Sequence, residues 1–166
     1  MSVLILNICT WLEETPVGIL VRESLWGFQV IVAFHLLGLM FSVGTLAWFD
    51  LRLFGVSMQG SRVSDVYRRL APWMLSGFAL MIVTGAMLFA GFATRAYENT
   101  FFRIKVAAIL IAGVNALVFH FVTERQIARW DDAASPPRGA KLAGGISMLA
   151  WVVVILAGRI MSYTMF

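Results

Sequence analysis

Charged side chains are scarce in this sequence. Only 13% of its 166 residues are charged and 60% are hydrophobic, whereas an ordinary soluble domain carries about 25% charged residues. The mean hydropathy of +0.85 therefore indicates a membrane protein. Because a hydrocarbon core about 30 Å thick needs about 20 apolar residues per helix, this length accommodates four crossings with short loops. We expect no separate soluble catalytic domain.

Cysteine and catalytic motifs are also nearly absent. The single cysteine, Cys9, excludes an intrachain disulfide and any multi-cysteine metal or iron–sulfur site. The sequence contains no zinc-protease histidine pair, no glycine-rich phosphate loop and no Ser/His/Asp set beyond chance. Candidates for function are therefore the few polar residues inside the apolar stretches.

Four apolar stretches predict an all-α integral membrane four-helix bundle that forms a single domain over residues 1–166. Residues 1–24 lack the continuous apolar run of a cleavable signal, and we expect them to be retained as short interfacial helices. In that segment Thr15 and Pro16 predict a helix start, and Thr10 and Glu13 have the pattern of a capping box. The four predicted spans are residues 25–49, 73–94, 103–123 and 142–163.

Basic residues concentrate on one side of the predicted bundle. The loops over residues 50–72 and 124–141 contain eight of them, against five on the opposite side. Because short cytoplasmic loops collect Lys and Arg, we expect a bacterial inner-membrane protein with both termini outside. The net charge of +4 then reflects topology, and the expected partner is the lipid bilayer, not nucleic acid. The eight residues are Arg52, Arg62, Arg68, Arg69, Arg125, Arg129, Arg138 and Lys141.

Small and polar residues recur at helical spacing in three of the spans, which predicts faces that point into the bundle. Ordinary helix packing is the preferred explanation for the glycines and methionines on these faces. The faces are His35, Gly38, Ser42 and Thr45 in the first span, Gly77, Met81, Thr84, Leu88 and Gly91 in the second, and Gly145, Met148, Val152, Ile155, Arg159 and Ser162 in the fourth.

The two histidines, His35 and His120, are candidate haem or metal ligands, because ionisable groups are costly in hydrocarbon. A packed core residue and a proton relay are the alternatives. The histidines lie at depths about 12 Å apart at 1.5 Å per residue. One haem would not take both unless the helix boundaries differ by a few residues from those predicted, or the helices are tilted and staggered. Otherwise each histidine serves a separate centre. Copper(I) is the other candidate metal, since imidazole and thioether suit it and the chain has 9 methionines.

Three basic residues on the predicted outer side, Arg103, Lys105 and Arg159, are candidates to bind the two carboxylates of a b-type haem. Snorkelling to lipid headgroups is the alternative for each of them. Arg159 is predicted to face the bundle, where it would need an anion because no acidic residue lies nearby in the spans. Asn115 is a further polar residue deep in the third span and a candidate cofactor contact.

The sequence contains the motifs His35-Leu36-Leu37-Gly38, Asp50-Leu51-Arg52-Leu53-Phe54-Gly55, Arg69-Leu70-Ala71-Pro72-Trp73, Thr84-Gly85, the segment from Asn99 to Lys105, Asn115, Phe119-His120 and Gly158-Arg159. Together they resemble an uncharacterised group of small bacterial four-helix inner-membrane proteins. More distantly, His35 and Lys105 are similar to the histidine and lysine of the copper-resistance D domain and of haem-binding protoporphyrinogen oxidases. This resemblance implies a redox role linked to b-type haem or copper, carried by His35 and Lys105 and then by His120.

These features favour a membrane protein that binds haem b and passes electrons between a membrane quinone and a partner protein, as a component of a membrane oxidoreductase. The first alternative is a copper-handling membrane protein that uses histidine and methionine. The second is a structural subunit of a larger membrane complex or homo-oligomer, in which the polar residues only fix the register of the helices.

Overall fold

The computed structural model describes residues 3–123, 127, 130–131 and 136–165, and no strand occurs among these residues. Four of the helices are long and apolar enough to cross a membrane, which confirms the all-α membrane bundle. The helices are α1 (Val3–Glu13), α2 (Pro16–Glu23), α3 (Gly27–Leu53), α4 (Val63–Gly91), α5 (Ala93–Glu98), α6 (Thr100–Val118), which continues as a π-helical turn over Phe119–Thr123, and α7 (Arg138–Met165).

The four long helices continue beyond the apolar stretches from which they were predicted. Helix α4 begins at Val63 and has Pro72 in its interior, whereas the apolar stretch begins at residue 73. Its 29 residues extend about 43 Å at 1.5 Å per residue, which exceeds a hydrocarbon core of about 30 Å. Hydropathy detects only the part of a helix that lies in hydrocarbon, so the polar first turns of α4 were predicted as a loop.

The bundle consists of two helix pairs, α3 with α4 and α6 with α7, and α3 also packs against α7. The closest approach within the first pair is at Gly38 and Gly77, where a Cβ on Gly77 would lie 2.4 Å from the Ser42 backbone nitrogen. Gly38, Ser42 and Gly77 are all buried. The predicted inward faces of the first and second spans are thus confirmed.

The predicted inward face of the fourth span is wrong by one residue. Val152 and Ile155 are exposed, and so is Arg159. The buried face of α7 instead contains Gly144, Ser147, Trp151 and Val154. Because lipid-facing side chains are as apolar as packed ones, the two adjacent faces of this helix have nearly the same composition. Apolar periodicity therefore did not distinguish them.

The two short N-terminal helices are bent by 69° relative to each other and pack against α4 and α5. Thr15 caps α2, since its hydroxyl oxygen accepts a hydrogen bond from the Gly18 backbone nitrogen at 3.2 Å. The capping box predicted at Thr10 is wrong, because α1 runs through this residue and its hydroxyl donates to the Leu6 carbonyl oxygen at 2.9 Å. The Glu13 carboxylate accepts from the Thr94 backbone nitrogen at 2.8 Å, which fastens α1 to the start of α5.

Asp131, in the connection between α6 and α7, holds the start of α4. Its carboxylate accepts hydrogen bonds from the backbone nitrogen and the hydroxyl of Ser64, at 2.8 and 2.6 Å. Although partial burial opposes ionisation, these hydrogen bonds and the nearby Arg62 hold the pKa of Asp131 below its usual value. The end of the bundle that contains the α3–α4 loop is thereby tied to the α6–α7 connection.

Candidate functional site

A cavity of about 610 Å³ lies between the two helix pairs, within the range of about 300–1,000 Å³ that is typical of ligand sites. Four of the residues predicted as site residues line it: His35, Lys105, Asn115 and His120. The structure therefore brings the polar residues of the first and third spans to a single cavity. We call the part near His35 and Lys105 its outer end, and the part near Asp50 and His120 its inner end.

The cavity opens sideways between α4 and α6. Leu75 and Ile82 of α4 line it and are 68% and 71% exposed, and on α6 the exposed residues Gly113 and Ala116 also line it. Because both helices cross the membrane, this opening faces the lipid hydrocarbon. Beyond it, towards the outer end, the rings of Phe89 and Phe102 stack with centroids 5.3 Å apart and bridge the two helices.

At the outer end, a hydrogen bond to Thr84 orients the His35 ring. His35 Nδ1 lies 2.9 Å from the Thr84 hydroxyl oxygen, and that hydroxyl lies 2.6 Å from the Leu80 carbonyl oxygen. Because a carbonyl only accepts, the Thr84 proton goes to Leu80 and the Thr84 oxygen accepts from His35 Nδ1–H. His35 is therefore assigned as the Nδ1–H tautomer, which leaves a lone pair on Nε2.

Two glycines make room for the outer polar groups. A Cβ on Gly85 would lie 3.3 Å from His35 Cε1, and one on Gly158 would lie 3.7 Å from Lys105 Nζ. The Lys105 ammonium is close enough to His35 to interact with it electrostatically. The outer end thus combines an oriented imidazole with a half-buried cation.

The inner end contains a buried carboxyl group that is not among the site residues predicted from the sequence. Asp50 is 3% exposed, and the Ser147 hydroxyl lies beside its carboxyl group. Among the described residues, its Oδ2 has no hydrogen-bond partner. The nearby Asn115 amide donates to the Ala143 carbonyl oxygen at 2.9 Å. Asp50 and Ser147 both line the cavity.

The structure does not bring the two histidines together. Lys105 is near His35. His120 lies fifteen residues after Lys105, which is about 22 Å further along the helix at 1.5 Å per residue. The helix tilt that would place both histidines on one haem is thus not observed. His35 and His120 line different ends of the cavity.

Arg103 and Arg159 are not among the residues that line the cavity. Arg159 donates to the Tyr163 hydroxyl at 2.7 Å, with its guanidinium 4.7 Å from the centroid of that ring. Arg103 similarly donates to the Tyr97 carbonyl oxygen at 3.1 Å and lies over the Tyr97 ring. The expectation that Arg159 faces the bundle is wrong, because Arg159 is exposed on α7 and has a phenol partner and a cation–π contact there.

The arrangement is that of a polytopic membrane protein with a cavity that opens to lipid and is polar at both ends. Within the described ranges, no group of three or more His, Cys, Asp or Glu side chains is placed to hold a metal ion. Residues 11–164 match the family model DUF6644, which is described as a family of unknown function. The chain belongs to this family. No curated protein and no solved structure matches it.

Proposed function

We propose that the protein is a membrane redox protein that binds b-type haem at the outer end of the cavity, with His35 as the iron ligand, and exchanges electrons with a membrane quinone. The observation that carries the proposal is the hydrogen bond from His35 to Thr84. Histidines that ligate metals usually donate their second ring nitrogen to a fixed acceptor. The Nδ1–H tautomer supported by Thr84 has this form and keeps Nε2 available.

The residues around the outer end fit a haem group in their chemistry. Lys105 supplies a cation that suits a carboxylate, and apolar side chains form most of the cavity wall. Phe78 and Trp151, whose centroids are 5.3 Å apart, provide flat surfaces in the cavity wall. Haem, when bound, supplies one-electron redox chemistry. The proposal uses neither Arg103 nor Arg159 and assigns a single histidine to the iron, because His120 lies at the inner end.

The test of this proposal is the absorption spectrum of the protein, purified in detergent from cells supplied with a haem precursor. We expect a Soret band that shifts on reduction with dithionite. Metal analysis of the same sample separates the alternatives. Copper in stoichiometric amount without a Soret band favours the copper-handling alternative. Absence of both, also after incubation with haemin, contradicts the redox proposal and favours a structural subunit.

We also propose a bacterial inner-membrane location with both termini outside the cytoplasm. The basic loop residues support it: Arg62, Arg68 and Arg69 lie between the apolar parts of α3 and α4, and Arg138 and Lys141 begin α7 on the same side. Arg52 is buried in α3 and donates to the Ser61 carbonyl oxygen at 2.9 and 3.2 Å, so it is a structural residue. Arg125 and Arg129 lie outside the described residues.

Reporter fusions test this orientation. Alkaline phosphatase fused after Gly60, in the loop between α3 and α4, is expected to be inactive, because the enzyme requires the oxidising periplasm for its disulfides. The same reporter fused after Glu98, at the end of α5, is expected to be active. The reverse pattern of activities would contradict the orientation.

A further inference from the structure

We infer that the inner end of the cavity binds the hydroxyl-bearing head of a membrane-soluble hydroquinone, with Asp50 as its hydrogen-bond acceptor. The choice of a quinone-type ligand rests on the proposed redox function. The site itself is argued from the geometry around Asp50. This site is separate from the outer end, since His35 and Asp50 are fifteen residues apart on α3, about 22 Å along the helix.

Asp50 has an unsatisfied oxygen. A buried polar atom without a hydrogen bond is unfavourable, and Asp50 Oδ2 is such an atom within the described structure. The terminal torsion of aspartate is broad, so the carboxyl group can turn to improve a hydrogen bond with a ligand. A ligand that brings an O–H donor would satisfy this group.

The polar groups beside Asp50 differ from it in this respect. The Asn115 amide already donates to the Ala143 carbonyl oxygen, and the Ser147 hydroxyl lies beside the Asp50 carboxyl group. Of these three side chains, Asp50 is the one with a buried oxygen that has no hydrogen-bond partner among the described residues. A hydroquinone offers donors, whereas an oxidised quinone offers only carbonyl acceptors. The site is accordingly expected to prefer the reduced form.

Three aromatic rings form part of the wall of the inner end. The ring of Phe49 lies 5.5 Å from that of Tyr67 and 5.8 Å from that of Phe119, measured between centroids, and all three rings line the cavity. Such walls suit a planar aromatic head. The opening between α4 and α6, beside Gly113, leads directly into the hydrocarbon and gives room for an apolar tail.

The carboxyl group of Asp50 also disfavours a competing assignment. A haem carboxylate placed here would meet a second carboxyl group in a medium of low dielectric, where both cannot be ionised together. Lys105, the cation that suits a haem carboxylate, lies at the other end of the cavity. The inner end is thus suited to a neutral donor and not to an anion.

Binding of a decyl-substituted benzohydroquinone and of its oxidised quinone to the purified full-length protein tests the inference, with titration calorimetry in detergent micelles as the measurement. The wild-type protein is expected to bind the hydroquinone more tightly. Asp50→Asn should weaken hydroquinone binding by roughly tenfold or more, the range expected when a buried hydrogen bond is lost. Asp65→Asn is the matched control, because Asp65 pairs with Arg68 outside this cavity. It should bind as the wild type does.

A second pair of variants fills space without removing a polar group. A Cβ on Gly113 or on Gly44 meets no atom within 4 Å, so both positions accept a larger side chain. Gly113 lines the cavity and Gly44 does not. Gly113→Phe should abolish binding of both quinone forms, and Gly44→Phe should preserve it.

Equal hydroquinone affinity in the wild type, Asp50→Asn and Gly113→Phe would overturn the inference, as would absence of binding to the wild type. Absorption spectra of the same samples keep the two proposals distinguishable. Hydroquinone binding that depends on Asp50 in a protein without a Soret band contradicts only the haem proposal. A Soret band together with hydroquinone binding that is unchanged in Asp50→Asn contradicts only this inference.

Discussion

His35→Ala is expected to remove the Soret band of the purified protein almost completely while the protein still inserts into the membrane. Alanine removes the only nitrogen ligand that the outer end offers with a fixed tautomer, and it leaves the α3–α4 contact at Gly38 and Gly77 intact. The measurement is the haem-to-protein ratio after gel filtration, compared with the wild type. Thr84→Val, which removes the acceptor for Nδ1–H but keeps the side-chain shape, should lower haem affinity about 10- to 100-fold.

Arg159→Leu is the control for this experiment, because Arg159 lies on the outward face of α7 and pairs with Tyr163. It should keep the wild-type haem content. An unchanged spectrum in His35→Ala would show that another residue ligates the iron. Loss of haem in Arg159→Leu but not in Thr84→Val would contradict the role given to the hydrogen bond between His35 and Thr84.

Gly77→Ala is expected to cause a large loss of stability for the addition of a single methyl group to the bundle. The added Cβ would lie 2.4 Å from the Ser42 nitrogen and 2.8 Å from the Gly38 carbonyl oxygen, and these backbone atoms cannot move aside without separating α3 from α4. Overpacking typically costs about 1–3 kcal/mol and occasionally more. Because the contact here is with backbone, we expect a value at or above the top of that range.

Unfolding by titration with a denaturing detergent, followed by circular dichroism, measures this effect. Gly44→Ala is the matched control, since it adds the same methyl group to α3 where no atom lies within 4 Å. It should be neutral or slightly stabilising, because alanine has the higher helix propensity. Equal unfolding transitions for the two variants would refute the close crossing of α3 and α4.

The inward faces of α3 and α4 could be predicted because they contain small residues at helical spacing. Gly38 and Ser42 are four residues apart on α3, Gly77 begins the corresponding face of α4, and close backbone approach in a membrane requires such residues. The same rule does not distinguish the buried face of α7 from the face beside it. Gly144 and Gly145 are neighbours in the sequence and begin two adjacent faces, both otherwise apolar. Only the packing of α7 against α3 and α6 determines that the face with Ser147 and Trp151 is buried, and sequence periodicity does not contain that information.

Asp50 was not predicted as a site residue, for a different physical reason. The hydrophobic run ends at Phe49, so a hydropathy criterion assigns the next residue to a loop. The helix itself continues to Leu53, and Asp50 lies on the inward face, following Ser42 and Leu46 at intervals of four residues. The four-residue interval is the feature of the sequence that predicts an inward position for Asp50. His35, Lys105, Asn115 and His120 were found because a polar residue inside an apolar run is conspicuous, and Asp50 was missed because it stands at the edge of one.

Because the cavity opens sideways between α4 and α6, the concentration of a ligand that matters is its concentration in the bilayer. The transfer of an apolar tail out of water is favourable by about 0.8 kcal/mol of free energy per CH₂ group. A long-tailed ligand is therefore already concentrated in the bilayer before it binds the protein. The relevant quantity is then its mole fraction among the lipids, and the protein needs to distinguish only the head group. Lipid acyl chains are present at far higher mole fraction and compete for the same apolar surface. Apparent affinity should therefore vary with the ratio of lipid to ligand and not with the volume of the sample.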